Sequence, residues 1–143
     1  MSETYDHDFY AWANEQAALL RAGRLNEADI ANIAEEIESM GRSEKRELIN
    51  RLILLLQHLL KWQYQPDRRG KSWRVTIMNN RRQLVRHLKD NPSLKSMLPE
   101  ALTEAYGDAI LEAVGEANLD ESTFPPACPW SFAQIMDPDF WPA

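Results

Sequence analysis

A chain of 143 residues, 44% apolar and 27% charged, has enough length and apolar content for one ordinary globular core, and its net charge of −6 argues against a dedicated nucleic-acid binder. The longest apolar run, Leu52 to Leu56, falls far short of the roughly 18–20 residues of a membrane span. The acidic, polar start from Met1 to Phe9 lacks the pattern of a secretory signal, and the lone Cys128 excludes an intrachain disulfide or a cysteine metal cage, so a cytoplasmic location is expected.

In chain order, the first helix is predicted over Asp6 to Ala22. Phe9, Trp12, Ala13, Gln16, Leu19 and Leu20 share a face, and Gly23 ends the helix as a left-handed cap. Asn26 is placed to cap a second helix, with Glu27 and Asp29 in its first turn. Ile30, Ile33, Ile37 and Met40 would be its buried stripe, with Gly41 interrupting or closing it. Ser43 can cap a third helix reaching about Gln63. Leu48, Leu52, Leu55, Leu59 and Trp62 line one side of it, and Ile49, Ile53, Leu56 and Leu60 the adjacent side. So wide an apolar arc predicts that this helix is the core.

Tyr64 to Lys71 reads as a loop, with Pro66 and Gly70 as breakers. Ser72 can cap a fourth helix to about Lys89, with Trp73, Ile77, Leu84 and Leu88 inward, and Asn91-Pro92 stops it. A short helical turn over Ser93 to Met97 precedes a fifth helix from Pro99 to about Ala117. Its Ala101, Ala105, Ala109, Ala113 and Ala117 recur every four residues as a small-residue seam. The segment 123–143 carries five prolines beside Trp130, Phe132, Phe140 and Trp141. It is expected to be a largely irregular tail wrapping the bundle, with one helical turn between Pro129 and Met136. The fold class is thus all-α: a single-domain bundle of about five helices over 1–143.

Several separated runs fit one known family. Tyr5-Asp6-His7-Asp8-Phe9-Tyr10-Ala11-Trp12, Ala34-Glu35-Glu36-Ile37-Glu38-Ser39-Met40-Gly41-Arg42-Ser43-Glu44 and His58-Leu59-Leu60-Lys61-Trp62 carry the resemblance. Ser72-Trp73, Asn91-Pro92-Ser93-Leu94, Phe124-Pro125 and Cys128-Pro129 extend it. Over nearly its whole length the chain resembles the bacterial "domain of unknown function 29" family. The resemblance implies an all-helical bacterial domain and brings no activity, substrate or catalytic residue.

Three constellations could carry chemistry. Asp29 and Glu36 edge the apolar stripe of the second helix, while Arg74 and Arg81 fall inside the apolar arc of the fourth. A buried arginine needs a partner, so Asp29 or Glu36 is expected to meet Arg74 or Arg81, either as a structural ion pair or as an anion-binding or acid–base site. His7, His58 and His87 lie on different helices without the Glu-x-x-His or His-x-x-x-His spacing of a bundle metal site, and neither a metal nor any other cofactor is expected. From Lys61 to Lys89 there are nine Lys or Arg against one acid, a local charge of +8 that leaves −14 on the remainder. Arg68, Arg69, Arg81, Arg82 and Arg86 are its candidate binding residues, with Trp62, Tyr64 and Trp73 interleaved.

No Gly-rich phosphate loop or nucleophile elbow is present, and Cys128, flanked by prolines, reads as a structural thiol. A non-enzymatic module that binds a protein partner or itself through the basic face is the leading expectation. A nucleic-acid-associated protein using that same face is the alternative. A hydrolase or metal-dependent enzyme built from Glu35, Glu36, His58 or Arg81 is a third.

Overall fold

A computed structural model describes residues 2–117 and 119–143, and all regular structure among them is helical. The helices are α1 (Ser2–His7), α2 (Phe9–Arg21), α3 (Ile30–Tyr64), α4 (Lys71–Asp90), α5 (Leu98–Ala117) and α6 (Phe132–Met136), joined by short 3₁₀ turns. By its internal packing the chain divides into two compact units, Met1–Ser43 and Glu44–Ala143, where the sequence reads as one domain over 1–143.

In the first unit, the predicted opening helix is broken at Asp8, whose carboxylate accepts from the Ala11 amide at 3.1 Å and so caps α2. Only Trp12 and Gln16 of the expected inward face of α2 are fully buried, and Phe9 and Leu20 are exposed. Gly23 takes the left-handed conformation, φ +73°, as expected. The Gly23 amide donates to Leu20 O at 3.0 Å and the Arg24 amide to Leu19 O at 2.9 Å, which closes α2 in a Schellman motif.

The predicted second helix differs in three ways. Leu25–Glu27 is a 3₁₀ turn, so Asn26 caps nothing. Asp29 is the cap instead: its carbonyl accepts the Ile33 amide at 2.9 Å, and its carboxylate bonds the side chain of Asn32 at 2.8 Å. Gly41 neither interrupts nor closes the helix, because α3 continues through it and through Ser43 to Tyr64. An exposed glycine costs a helix only about 1 kcal/mol, and the turns on either side outweigh it. The stripe expected to be buried is also corrected. Ile33 is half-buried, but Ile37 and Met40 are 58% and 62% exposed and Ile30 is exposed too.

In the second unit the expected core is present. Leu48, Leu52, Leu55, Leu56, Leu59 and Leu60 of α3 are completely buried, together with Ile77 and Leu84 of α4. Ala101, Ala105, Ala109 and Ala113 of α5 are buried as the predicted seam. Small side chains at every fourth position let the α5 backbone approach its neighbours closely, and larger ones would overpack the contact. Helix α4 begins two residues earlier than predicted, after Gly70, and Ser72 lies inside its first turn rather than at the cap. The tail is packed on this core: Phe124, Trp130 and Ile135 are buried, and Phe140 and Trp141 are half-buried against it. Ser131 and Gln134 form a capping box that starts α6.

A candidate anion-binding cleft in the basic segment

On α4, residues 74, 78, 81, 82 and 85 recur at the three- and four-residue spacing that puts them on one side of a helix. Opposite them the tail contributes Met136, Pro138, Asp139 and Trp141, and the two walls enclose a cleft of about 410 Å³. Arg74 and Arg82 are exposed at its margin, whereas Arg81 is only 4% exposed.

Arg81 holds the tail in place. Its Nε donates to Ile135 O and its Nη2 to Phe140 O, both at 2.7 Å. The Ile135 carbonyl belongs to the last turn of α6, where no amide of the helix can reach it, so a cationic donor there satisfies both the acceptor and the helix dipole. Nη1 of the same guanidinium is buried with no partner. Burial lowers the pKa of Arg81 from its ordinary value, and the nearby charge of Asp137 opposes the shift. The Trp141 ring lies 4.9 Å from the Arg74 guanidinium and 5.3 Å from that of Arg81, a pair of cation–π contacts.

The partners proposed from sequence are therefore not the ones found. Asp29 accepts the Trp12 indole N–H at 3.1 Å and the Asn32 amide, while its own backbone N–H donates to Gln16 at 2.7 Å. The bonds its carboxylate accepts, the one from the Asn32 side chain foremost and then that from Trp12, hold the Asp29 carboxyl below its ordinary pKa. Glu36 accepts from the Tyr5 hydroxyl, and that bond pushes the Tyr5 pKa up to about 12. Arg74 rests on Trp141 and Arg81 on backbone carbonyls. Carbonyl oxygens and an indole ring take the role that carboxylates were expected to play.

The other expected binding residues are distributed unevenly. Arg69 is a strut rather than a free cation, donating to Trp62 O at 2.6 Å and Ala143 O at 2.9 Å. Arg68, Arg82 and Arg86 are exposed. Of the nine cations between Lys61 and Lys89, only Lys61 is in an ion pair with a carboxylate among the described residues, 2.6 Å from Glu116. The aromatics of the segment are occupied: Lys61 and Arg69 lie over Trp73 and Trp62, and Tyr64 meets Phe124 edge-on at 5.1 Å.

A second opening, about 430 Å³, lies between α3 and α5 and is lined by Gln57, His58, Lys61, Glu112 and Glu116 among others. Two of its charges, Lys61 and Glu116, are matched to each other. Glu116 accepts from both Lys61 and Gln57, and His58 donates from Nδ1 to Leu54 O at 2.8 Å while burial depresses its pKa. Among the described residues no group of three His, Cys, Asp or Glu side chains could hold a metal ion, and no helix is long and apolar enough to cross a membrane.

Sequence reasoning found the arginines and missed their setting. Trp141 and Asp139 sit in an irregular segment, and Met136 ends a helix of one turn, too short to have a period that reveals which way a side chain faces. The one available signal was the apolar character of the tail, which requires it to lie on something.

No curated protein and no solved structure matches the chain. The family model described as "Domain of unknown function DUF29" matches residues 4–141. With nearly its whole length so matched, the chain belongs to the DUF29 family.

Proposed function

We propose that this protein is a non-enzymatic interaction module that docks an acidic protein partner on its basic segment, 61–89. The observation that carries the reading is the open valence of that segment. On a chain whose remainder is strongly acidic, eight of the nine cations make no ion pair with a carboxylate among the described residues. Exposed Met78 and Val85 stand between the arginines of α4, giving the apolar contact that most protein interfaces add to charge. A nucleic-acid reading draws on the same cations. It is less well supported, because base stacking needs free aromatic faces and Trp62, Trp73 and Tyr64 are packed inside the unit or covered by cations. The enzymatic reading draws on Glu35, Glu36, His58 and Arg81, each of which already has a hydrogen-bond partner.

The test is a pull-down from native bacterial lysate with the full chain as bait, with and without nuclease. A parallel bait carries Arg74→Glu, Arg82→Glu and Arg86→Glu, its folding checked by circular dichroism. These three are exposed, whereas changing the buried Arg81 would unseat the tail. A nuclease-resistant protein retained by the first bait and lost from the second supports the reading. Retention by both baits, or loss on nuclease treatment, contradicts it.

A further inference from the structure

We infer that the cleft between α4 and the tail receives one carboxylate side chain of an acidic peptide, anchored by Arg81 with Arg74 and Arg82 and flanked by an apolar residue seated on Met78 and Val85. The inference rests on the acidic-partner reading above and names the group that the partner would present.

Arg81 provides the first reason. Its guanidinium is nine-tenths buried and two of its nitrogens are satisfied by backbone carbonyls, yet Nη1 of this cleft-lining residue, itself buried, has no acceptor. Buried charged donors are rarely left unpaired, and a carboxylate oxygen is the acceptor that satisfies one most fully. The side chains beside it include Met78 and Met136, which are unbranched and adapt readily to an entering group.

Charge balance selects the kind of anion. Arg74, Arg81 and Arg82 face Asp139 in the cleft wall and Asp137 close enough to act on Arg81. Three positive charges against two negative leave one, which matches a monoanion. A phosphate dianion would face the Asp139 carboxylate in the cleft wall with the charge of Asp137 nearby, and like charges so placed are mutually destabilising. The apolar shelf is the third reason. Met78 and Val85 are 48% and 59% exposed on the same side of α4, beside the Trp141 ring, and a free inorganic ion would leave that surface uncovered.

The test uses the ¹⁵N-labelled full chain. The Arg81 Nε–H, held by Ile135 O, and the Trp141 indole N–H report on the cleft by NMR. The probes are a Leu-Glu-Leu tripeptide with blocked ends, its Gln counterpart, its phosphoserine counterpart and inorganic phosphate. The Glu peptide is expected to shift both signals saturably, with the Gln peptide about tenfold weaker or more. Val85→Glu, at an exposed position where folding is not at stake, is expected to abolish the shifts. Tighter binding of either phosphate probe, or shifts confined to exposed arginines outside the cleft, overturns the inference.

Binding of a long oligoglutamate separates the two levels of the claim. If it binds and Val85→Glu leaves both its affinity and the Arg81 signal unchanged, the cleft assignment falls and the acidic-partner reading stands. If it does not bind the wild-type chain at all, both fall.

Discussion

Two neighbouring arginines show how little residue type says about role. Arg81 and Arg82 are adjacent on α4, yet one is buried as the bolt between helix and tail and the other is exposed at the rim. Replacing Arg81 by Met strands the Ile135 and Phe140 carbonyls. It should cost about 2–3 kcal/mol in urea unfolding, while Arg82→Ala should stay within about 0.5 kcal/mol. Equal effects would show that the guanidinium of Arg81 does not hold the tail.

Glu116 makes a second prediction at this scale. Lys61 holds its carboxyl below the ordinary value of 4.5, so the ionised form is favoured by folding. The stabilisation is complete above 4.5 and is lost as pH falls through the lower folded value. His58 adds a loss of the same sign but at higher pH. Burial depresses its pKa below 6.5, so the unfolded chain takes up the proton first as pH drops. Glu116→Gln should flatten the pH dependence of the midpoint below about 4.5, and His58→Gln should flatten it just below 6.5. Unchanged profiles would contradict the assigned partners.

Among the elements, two glycines should respond in opposite directions. Gly41 lies inside continuous α3 with open space around the position of an added Cβ. Gly41→Ala should therefore stabilise by about 0.5–1 kcal/mol. Gly23 is at φ +73°, where an L side chain is strained, so Gly23→Ala should destabilise by about 1 kcal/mol. Thermal melts of the two variants moving the same way would reject the continuous helix or the left-handed cap. The pair also marks what the sequence could reveal. Gly23 follows the last residue of an apolar stripe and is read correctly as a stop. Gly41 has the same letter, but the signal that decides its fate is the helical drive of the turns around it. The leucine faces of α3 and the alanine seam of α5 were legible for the opposite reason: they are long, strictly periodic and deeply buried. The stripe Ile30, Ile37 and Met40 was equally periodic and is exposed, because periodicity says which side chains share a face and not whether anything covers it. The cleft lay beyond sequence reading at this scale, since half of it is tail, where no period exists.

Across the whole molecule the dominant feature is charge segregation: +8 within 61–89 on a chain of net −6, with Lys61 alone of those cations matched by a carboxylate among the described residues and the others stacked on tryptophans, bonded to backbone carbonyls or open. Such a face steers an anionic partner at long range, and its attraction is screened as salt rises. The most direct test is fluorescence anisotropy of the full chain with labelled oligoglutamate and, in parallel, an oligothymidylate of equal length, over a range of salt. Tighter binding of oligoglutamate, weakening with salt and lost in the Arg74, Arg82 and Arg86 charge-reversal variant, is the predicted result. Preference for the oligothymidylate, or oligoglutamate binding that survives charge reversal, would contradict an acidic protein partner on this face.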